Sequence, residues 1–336
     1  MPSRPTTKST PMGRLKAALT AAVVLLAGVA AIPAYGVVPV ANGKIAFVAD
    51  EAGRPQVFTV KPDGTGLTRL TNRPNGAGEY GLAWSPDASS LLMVLSGSHD
   101  LIYKAGADGA AVRRLSPRCA GYCLGDNSPT YTRSGARIAF ERAFGPLTGD
   151  NAAAVAILTM NADGSGLKQL TQKKKPTSTE DHTPSWSPDG KRIAFQRYNT
   201  TAQPASLSAI YVMNADGTQL RRLTPRSIDA SNPRWSRDGT RIAFNDYAED
   251  IPNKSANVYT IRTDGKGLRK VTHYTGGTKR AFVNDWSPDG RQIVYHLIGD
   301  AVNDLYVVNA DATNTHALTH LGAKANPRHS TWGTAH

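Results

Sequence analysis

The sequence predicts an all-β protein, a six-bladed β-propeller of four-stranded blades in which the C-terminal strand closes the ring. Three observations support this prediction. An aromatic motif occurs six times, a turn motif occurs six times between its copies, and the two ends of the chain supply complementary halves of one repeat. A repeat of about 50 residues with four short strands is typical of propeller blades.

The first recurring unit is an aromatic residue followed by a turn and an apolar triplet, best written Trp-Ser-Pro-Asp-Gly and Ile-Ala-Phe. All five tryptophans of the chain occupy the aromatic position, and a tyrosine fills the remaining copy. Because each sheet in a ring must bury its face against the next, we expect these aromatic anchors to be structural. The anchors, spaced by 47, 55, 49, 51 and 46 residues, are Trp84, Tyr131, Trp186, Trp235, Trp286 and Trp332.

The second recurring unit is an Asp-Gly turn followed about seven residues later by a Leu-Thr-like pair. Proline fixes φ at the first corner of a turn, aspartate bonds to the local backbone, and glycine adopts the left-handed conformation. Pro-Asp-Gly and Asp-Gly segments therefore predict tight turns between short strands. Each repeat supplies strand A around the anchor, strand B with the apolar triplet, strand C before Asp-Gly and strand D before the Leu-Thr pair.

The two ends of the chain define how the ring closes. Residues 42–47 supply a strand B without an anchor before it, and residues 330–333 supply a strand A without a strand B after it. Joining them restores one repeat, and a ring closed in this way leaves no exposed sheet edge. Since no break in composition interrupts residues 42–333, we predict one propeller domain over residues 37–336.

These repeats resemble those of the TolB propeller family and of the propeller domains in prolyl-oligopeptidase-like peptidases. The resemblance covers nearly all of residues 42–333 and implies a TolB-like six-bladed fold. It implies little about function, because propellers of this type carry out unrelated tasks. Two departures from the resembled proteins are expected. Residues 36–42 leave no room for the N-terminal α/β domain usual in TolB-like proteins, and the chain leaves no room for a hydrolase domain.

Residues 1–36 predict an export signal. Four basic residues precede an apolar run over residues 17–32 and a stretch of small residues, which is the order found in secretory signals. The run has 16 residues, fewer than the roughly 20 of a membrane-spanning helix. We predict a cleaved signal peptide, and so a secreted or cell-envelope protein, with an uncleaved membrane anchor as the alternative.

The net charge of +13 falls to +9 without those four residues and is spread along the chain. No aromatic stacking platform is interleaved with the basic residues, so a nucleic-acid partner is not expected. The two cysteines, Cys119 and Cys123, predict a local disulfide in an exported chain, with free thiols or metal or redox chemistry as alternatives.

Polar residues gather before the anchors. In a propeller the D–A and B–C connections share one face and surround the mouth of the central channel, where loops and polar side chains form ligand sites. The alternative interpretation is an ordinary polar channel lining. The predicted ligand-binding residues at this mouth are Asp126, Asn127, Glu180, Asp181, His182, Asn232, Asp285, His296, Arg328 and His329.

No Gly-x-Ser-x-Gly elbow and no phosphate-binding loop motif occurs in the sequence, and we predict no catalytic residue. The hypothesis is a monomeric, exported, non-enzymatic module that binds a peptide, a protein segment or a cell-envelope glycan and needs no cofactor. The alternative is a metal-assisted polysaccharide lyase or hydrolase that uses the channel histidines and acidic residues around a divalent metal. Oligogalacturonide lyases, which resemble this sequence, use channel histidines in that way, but their regular histidine pattern is not evident here.

Overall fold

The computed structural model of the chain shows an all-β propeller. It describes residues 41–72, 79–117, 123–145, 154–171, 179–199, 207–246, 254–299, 301–322 and 325–335. The predicted export signal and Cys119 lie outside these ranges. The described residues form six four-stranded antiparallel sheets, and their one helix is a short 3-10 turn, Arg226–Ile228. The predicted fold class is confirmed. Within the same ranges no helix has the length and apolarity needed to cross a bilayer.

Each sheet is one blade, with its strands in the order A, B, C, D. Blades 1 to 6 are listed in that order. Strands A are Arg328–Thr334 (β24), Glu79–Trp84 (β4), Cys123–Tyr131 (β8), Thr179–Trp186 (β12), Ala230–Trp235 (β16) and Arg280–Trp286 (β20). Strands B are Asn42–Glu51 (β1), Ser90–Leu95 (β5), Arg137–Phe144 (β9), Arg192–Asn199 (β13), Arg241–Asp246 (β17) and Gln292–Gly299 (β21). Strands C are Arg54–Val60 (β2), Leu101–Gly106 (β6), Ala154–Asn161 (β10), Ala209–Asn214 (β14), Val258–Arg262 (β18) and Val302–Asn309 (β22). Strands D are Thr68–Arg69 (β3), Arg113–Arg114 (β7), Lys168–Gln169 (β11), Arg221–Arg222 (β15), Arg269–Lys270 (β19) and His316–Ala317 (β23).

Strands B carry the core, and strands D form the outer edges. The apolar triplet of strand B is fully buried, as Ile193, Ala194 and Phe195 illustrate. Strands D have two residues each, and most of these residues are exposed and basic. Short, charged edge strands discourage pairing with the sheet of another molecule. The positive charge predicted to be dispersed is thus partly arranged around the rim of the ring.

The aromatic anchors pack between neighbouring blades. Trp332 lies in one apolar cluster with Val294 and Leu305 of blade 6 and with Ile45 and Phe47 of blade 1. Such shared clusters join each sheet to the next, which is the packing that a ring of sheets requires.

The C-terminal strand closes the ring, as predicted. Strand β24 pairs with β1, with Ile45 opposite Trp332, and the Trp332 indole Nε1 donates to the Gly43 carbonyl at 3.1 Å. A Cβ atom on Gly43 would overlap the Thr334 carbonyl oxygen, so the approach of the two strands requires glycine there. The strands A of successive blades contact one another in an unbroken cycle that includes β24. They are therefore the innermost strands and line the channel.

A β-bulge interrupts most strands A three residues before the anchor. The register of the A–B pairing shifts there, and the residue at that position has a positive φ in five blades. Bulges of this kind bend a strand and redirect its side chains. Sequence reasoning missed them, because only one of the five is a glycine. The five residues are Gly81, Ser128, Thr183, Asn232 and His329.

Candidate functional site

The channel has two ends, which differ in chemistry. The mouth end is formed where strands A begin, by the residues three to six positions before the anchors and by the facing ends of strands B. The turn end is formed by residues from one before to two after each anchor, where strands A turn into strands B. Nine of the ten predicted binding residues lie at the mouth end, and Asp285, one residue before its anchor, lies at the turn end.

Two mouth-end carboxylates are tied to arginines of their own blades. Asp126 accepts two hydrogen bonds from Arg142, at 2.5 and 2.8 Å, and Asp181 accepts two from Arg197, at 2.6 and 2.8 Å. Both carboxylates stand five residues before the anchor, and they are 1% and 0% exposed. Bidentate pairs of this kind hold strand A to strand B and satisfy both groups. Arg328 of blade 1 similarly donates to Asp50 at 3.0 Å.

His182 lies between two carboxylates at the mouth end. Its Nε2 is 3.3 Å from Glu180 Oε2, and its Nδ1 is 3.6 Å from Glu141 Oε2. Burial alone would lower the pKa of His182, but the hydrogen bonds and charges of Glu141 and Glu180 outweigh it and raise the pKa to about 10. The same Glu141 oxygen accepts the backbone N–H of the bulged Thr183 at 2.6 Å. An imidazolium ion thus links blade 3 to blade 4.

The other two predicted histidines are uncharged near neutral pH. Burial lowers the pKa of His296 to about 4, and its Nε2 is 2.6 Å from Asn303 Oδ1. His329 is the bulged residue of strand β24, and its side chain is solvent-accessible. Desolvation by the surrounding protein, together with the nearby Arg328 and His296, lowers the pKa of His329 to about 4.

The predicted amides at the mouth end have polar neighbours. Asn127 Nδ2 donates to Asp100 Oδ2 at 3.4 Å, and Asn232 Nδ2 donates to Asn245 Oδ1 at 3.1 Å. These bonds are single and long compared with the bidentate ion pairs. The two amides therefore keep hydrogen-bonding capacity for a ligand.

Asp285 acts as a junction between blade 6 and the closing strand. Its Oδ1 accepts from its neighbour Trp286 N at 2.8 Å, and its Oδ2 accepts from Thr331 Oγ1 at 3.1 Å and Trp332 N at 3.0 Å. Three donors satisfy this carboxylate. A direct contact between Asp285 and a ligand stays a prediction.

A cavity of about 160 Å³ occupies the turn end and is bounded by strands A of all six blades. The tryptophan anchors contribute to its wall. The charged residues that line it are Arg133, Arg234, Arg237 and Asp285. Sequence reasoning missed the three arginines. The available signal was their position in the repeat: Arg133 and Arg237 stand two residues after an anchor, where three of the other four blades carry proline.

Within the described ranges no three His, Cys, Asp or Glu side chains are grouped as metal ligands. The arrangement around His182 favours an ion pair, because a protonated imidazole has no lone pair for a metal. Cys123 is disulfide-bonded. Since Cys119 lies outside the described residues, the predicted pairing stays a prediction.

Comparison with solved structures places this ring among known propellers. It superimposes on TolB from Acinetobacter baumannii with a TM-score of 0.65 and 18% identity, covering 86% of this chain and 66% of that one. For the putative TolB from Agrobacterium tumefaciens the TM-score is 0.61 with 19% identity, over 87% of this chain and 98% of that one. An oligogalacturonate lyase in complex with manganese gives 0.55 and 17%, over 83% and 74%.

The TolB-like propeller fold is confirmed. At identities below 20% these likenesses concern the fold alone. No protein-family model and no curated protein sequence matches the chain.

Proposed function

We propose that this protein is an exported, non-enzymatic module whose channel binds an extended peptide, a protein segment or a cell-envelope glycan at the mouth end. The observation that carries the proposal is a channel ringed by six strands A, with the predicted polar residues of blades 1, 3, 4, 5 and 6 around its mouth end. Rigid rings that present loops and polar side chains around a concave centre are common binding scaffolds.

The bulges support a binding role for the channel. Non-glycine residues with positive φ are sparsely populated, and they persist where the surrounding structure holds them for a purpose. Four of the innermost strands contain a non-glycine residue with positive φ: Ser128, Thr183, Asn232 and His329. The bulges interrupt the A–B ladder and redirect side chains along the channel, which supports a role in binding.

The contacts at the mouth end favour some of the predicted residues over others as ligand contacts. Asp126 and Asp181 are occupied by their arginines, so they fix the shape of the mouth. Asn127 and Asn232 have capacity for neutral hydrogen bonds, and the neighbouring His329 is uncharged near neutral pH. That chemistry suits the amides of an extended peptide or the hydroxyls of a glycan better than a strongly charged partner.

The full chain tests this proposal in a binding assay. Labelled peptides of acidic, basic and neutral sequence, together with muropeptide and teichoic-type glycan fragments, would be titrated by fluorescence anisotropy. We expect saturable one-to-one binding of one class, weakened at least tenfold by His329→Ala. The matched control is His316→Ala, which removes an exposed histidine from the outer strand β23. Binding by no class, or equal weakening by both variants, would contradict the proposal.

The lyase or hydrolase alternative has its own readout. Incubation of the chain with acidic polysaccharides and Mn²⁺ would release unsaturated or reducing ends if the alternative held. Turnover lost on substitution of His182 or His329 would replace the binding proposal with an enzymatic one.

A further inference from the structure

We propose that the turn-end cavity is a second, separate site, which binds one anionic group, a carboxylate or a phosphate, through Arg133, Arg234 and Arg237. This site does not depend on the proposed mouth-end ligand. It is argued from the repeat pattern, from the charge balance of the cavity and from its unpartnered donors.

The repeat separates structural positions from exceptional ones. A residue needed to build a blade occurs at the same register in every blade, whereas a residue with another purpose departs from the pattern. All three arginines are departures. Two residues after the anchor, the chain has Pro86, Arg133, Pro188, Arg237, Pro288 and Thr334. One residue before the anchor, it has Ala83, Thr130, Ser185, Arg234, Asp285 and Thr331.

The residues that line the cavity carry an excess of positive charge. Three arginines and one carboxylate give a balance of +2, and that carboxylate already accepts three hydrogen bonds. Arg133 is exposed and donates to the Arg237 carbonyl at 3.4 Å. Asp285 and, more weakly, Glu141 are the acidic groups that act on Arg234. Burial lowers the pKa of both Arg234 and Arg237, which shows that the surrounding protein disfavours their charge. Charges inside a protein are normally paired, so a complementary anion is the expected partner.

Hydrogen bonds fix the position of the Arg234 guanidinium in the cavity wall. Its Nε donates to the Asn284 carbonyl at 2.7 Å and its Nη1 to the Pro233 carbonyl at 2.9 Å, which hold the guanidinium in place across the junction of blades 5 and 6. The buried Asn284 Nδ2 lines the same cavity and has no hydrogen-bond partner among the described residues. A fixed guanidinium with a neighbouring amide donor is a common arrangement for a carboxylate or phosphate.

The size of the cavity limits the ligand. Its volume of about 160 Å³ lies below the roughly 300 Å³ at which ordinary small-molecule pockets begin. One carboxylate or phosphate group fits this space, either as a free ion or as the end of a longer molecule that continues out of the channel.

The test uses the full chain and two simple anions. Inorganic phosphate and acetate are titrated separately at constant ionic strength against chloride, and binding is followed by calorimetry and by the emission of the tryptophans that line the cavity. Arg234→Ser with Arg237→Pro gives the informative variant, because serine and proline occupy those registers in blade 4. Lys191→Gln with Arg291→Gln is the matched control. It also removes two charges, from exposed positions just after the A–B turns of blades 4 and 6.

We expect at least one anion to bind saturably, with affinity weakened tenfold or more in the cavity variant and unchanged in the control. Binding of phosphate alone identifies a phosphate group, and binding of acetate identifies a carboxylate. His329→Ala at the mouth end should leave this binding intact, so its outcome separates the two proposals. If the double variant does not fold, Arg237→Pro alone gives the same comparison. Binding of neither anion above chloride, or equal loss in the control, would overturn the inference.

Discussion

The two ends of the channel differ in whether their charged side chains are paired. At the mouth end the charged groups are paired within or between blades, as in Asp126 with Arg142 and Asp181 with Arg197. At the turn end three arginines share a cavity with one carboxylate that is already satisfied. The mouth-end pairs occupy equivalent positions in blades 3 and 4, and Arg133 and Arg237 likewise occupy equivalent positions in blades 3 and 5, so the two ends differ in pairing and not in recurrence.

This difference teaches how a repeat protein combines structure with function. Charges that find a partner of opposite charge or a full set of hydrogen bonds in the ring stabilise it. Charges that form no ion pair in the ring are available for a ligand.

Removing one member of a mouth-end ion pair should destabilise the ring most. Asp126→Ala leaves the buried Arg142 guanidinium without its carboxylate, and we expect the free energy of unfolding to fall by about 3–5 kcal/mol. Urea unfolding of the full chain measures this change. The control is Asp63→Ala, in an exposed C–D turn, whose loss should be much smaller. Equal losses in the two variants would show that the mouth-end pair is not structural.

The turn-end carboxylate should behave as a structural group. Asp285→Ala leaves two backbone N–H groups and one hydroxyl without an acceptor, and we expect a loss of about 2–3 kcal/mol in the same assay. Asp285→Asn keeps one acceptor oxygen and should lose less. If Asp285→Ala unfolds at the same urea concentration as the natural chain, Asp285 is not the junction that its contacts indicate.

His182 should stabilise the mouth end in a pH-dependent way. Its pKa of about 10 in the folded chain lies above the ordinary value of 6.5, so its contribution is complete below about pH 6.5 and is lost as pH rises through 10. His182→Gln should therefore be destabilised most near pH 6, and the difference from the natural chain should shrink towards pH 10. A difference that stays constant from pH 6 to 10 would mean that the imidazole is not held protonated.

Restoring the repeat at the turn end should change stability least. Arg237→Pro removes a guanidinium that forms no ion pair among the described residues and introduces the residue found in blades 2, 4 and 6. Proline at a compatible position stabilises by about 0.4–1 kcal/mol, so we expect equal or slightly higher stability. A loss as large as that of Asp126→Ala would make Arg237 a structural residue and remove the contrast between the ends.

The repeats made most of the fold predictable. Six anchors, six turns of the Asp-Gly type (one of them Asp-Ala) and two complementary chain ends are local patterns, and each specifies strands, turns or closure directly. The bulges were not predictable, because residues such as Thr183 and His329 have no preference for positive φ and adopt it only under the constraint of the ring.

The candidate site was predictable only in part. The sequence shows that polar residues gather before the anchors. It does not show how they pair, because Asp181 contacts Arg197 only through the register of β12 and β13. The turn-end arginines were overlooked for a related reason. Which registers face the channel axis depends on the inclination of the strands, and this becomes visible only when all six strands A are placed around one cavity.

The central claim is tested most directly by thermal unfolding. The melting temperatures of the natural chain and of the Arg234→Ser, Arg237→Pro variant are measured at increasing concentrations of phosphate or acetate and at constant ionic strength. A ligand that binds only the folded state raises stability by RT ln(1 + [L]/Kd), about 2.7 kcal/mol at a hundred times Kd. Without added anion the variant loses the Arg234 hydrogen bonds to the Asn284 and Pro233 carbonyls, which offsets any stability gained from proline, so we expect the two chains to melt at similar temperatures. With at least one of the anions the melting temperature of the natural chain should rise with anion concentration while that of the variant stays constant, so that the two curves diverge. Parallel curves with both anions would contradict the claim that the unpaired arginines form a binding site.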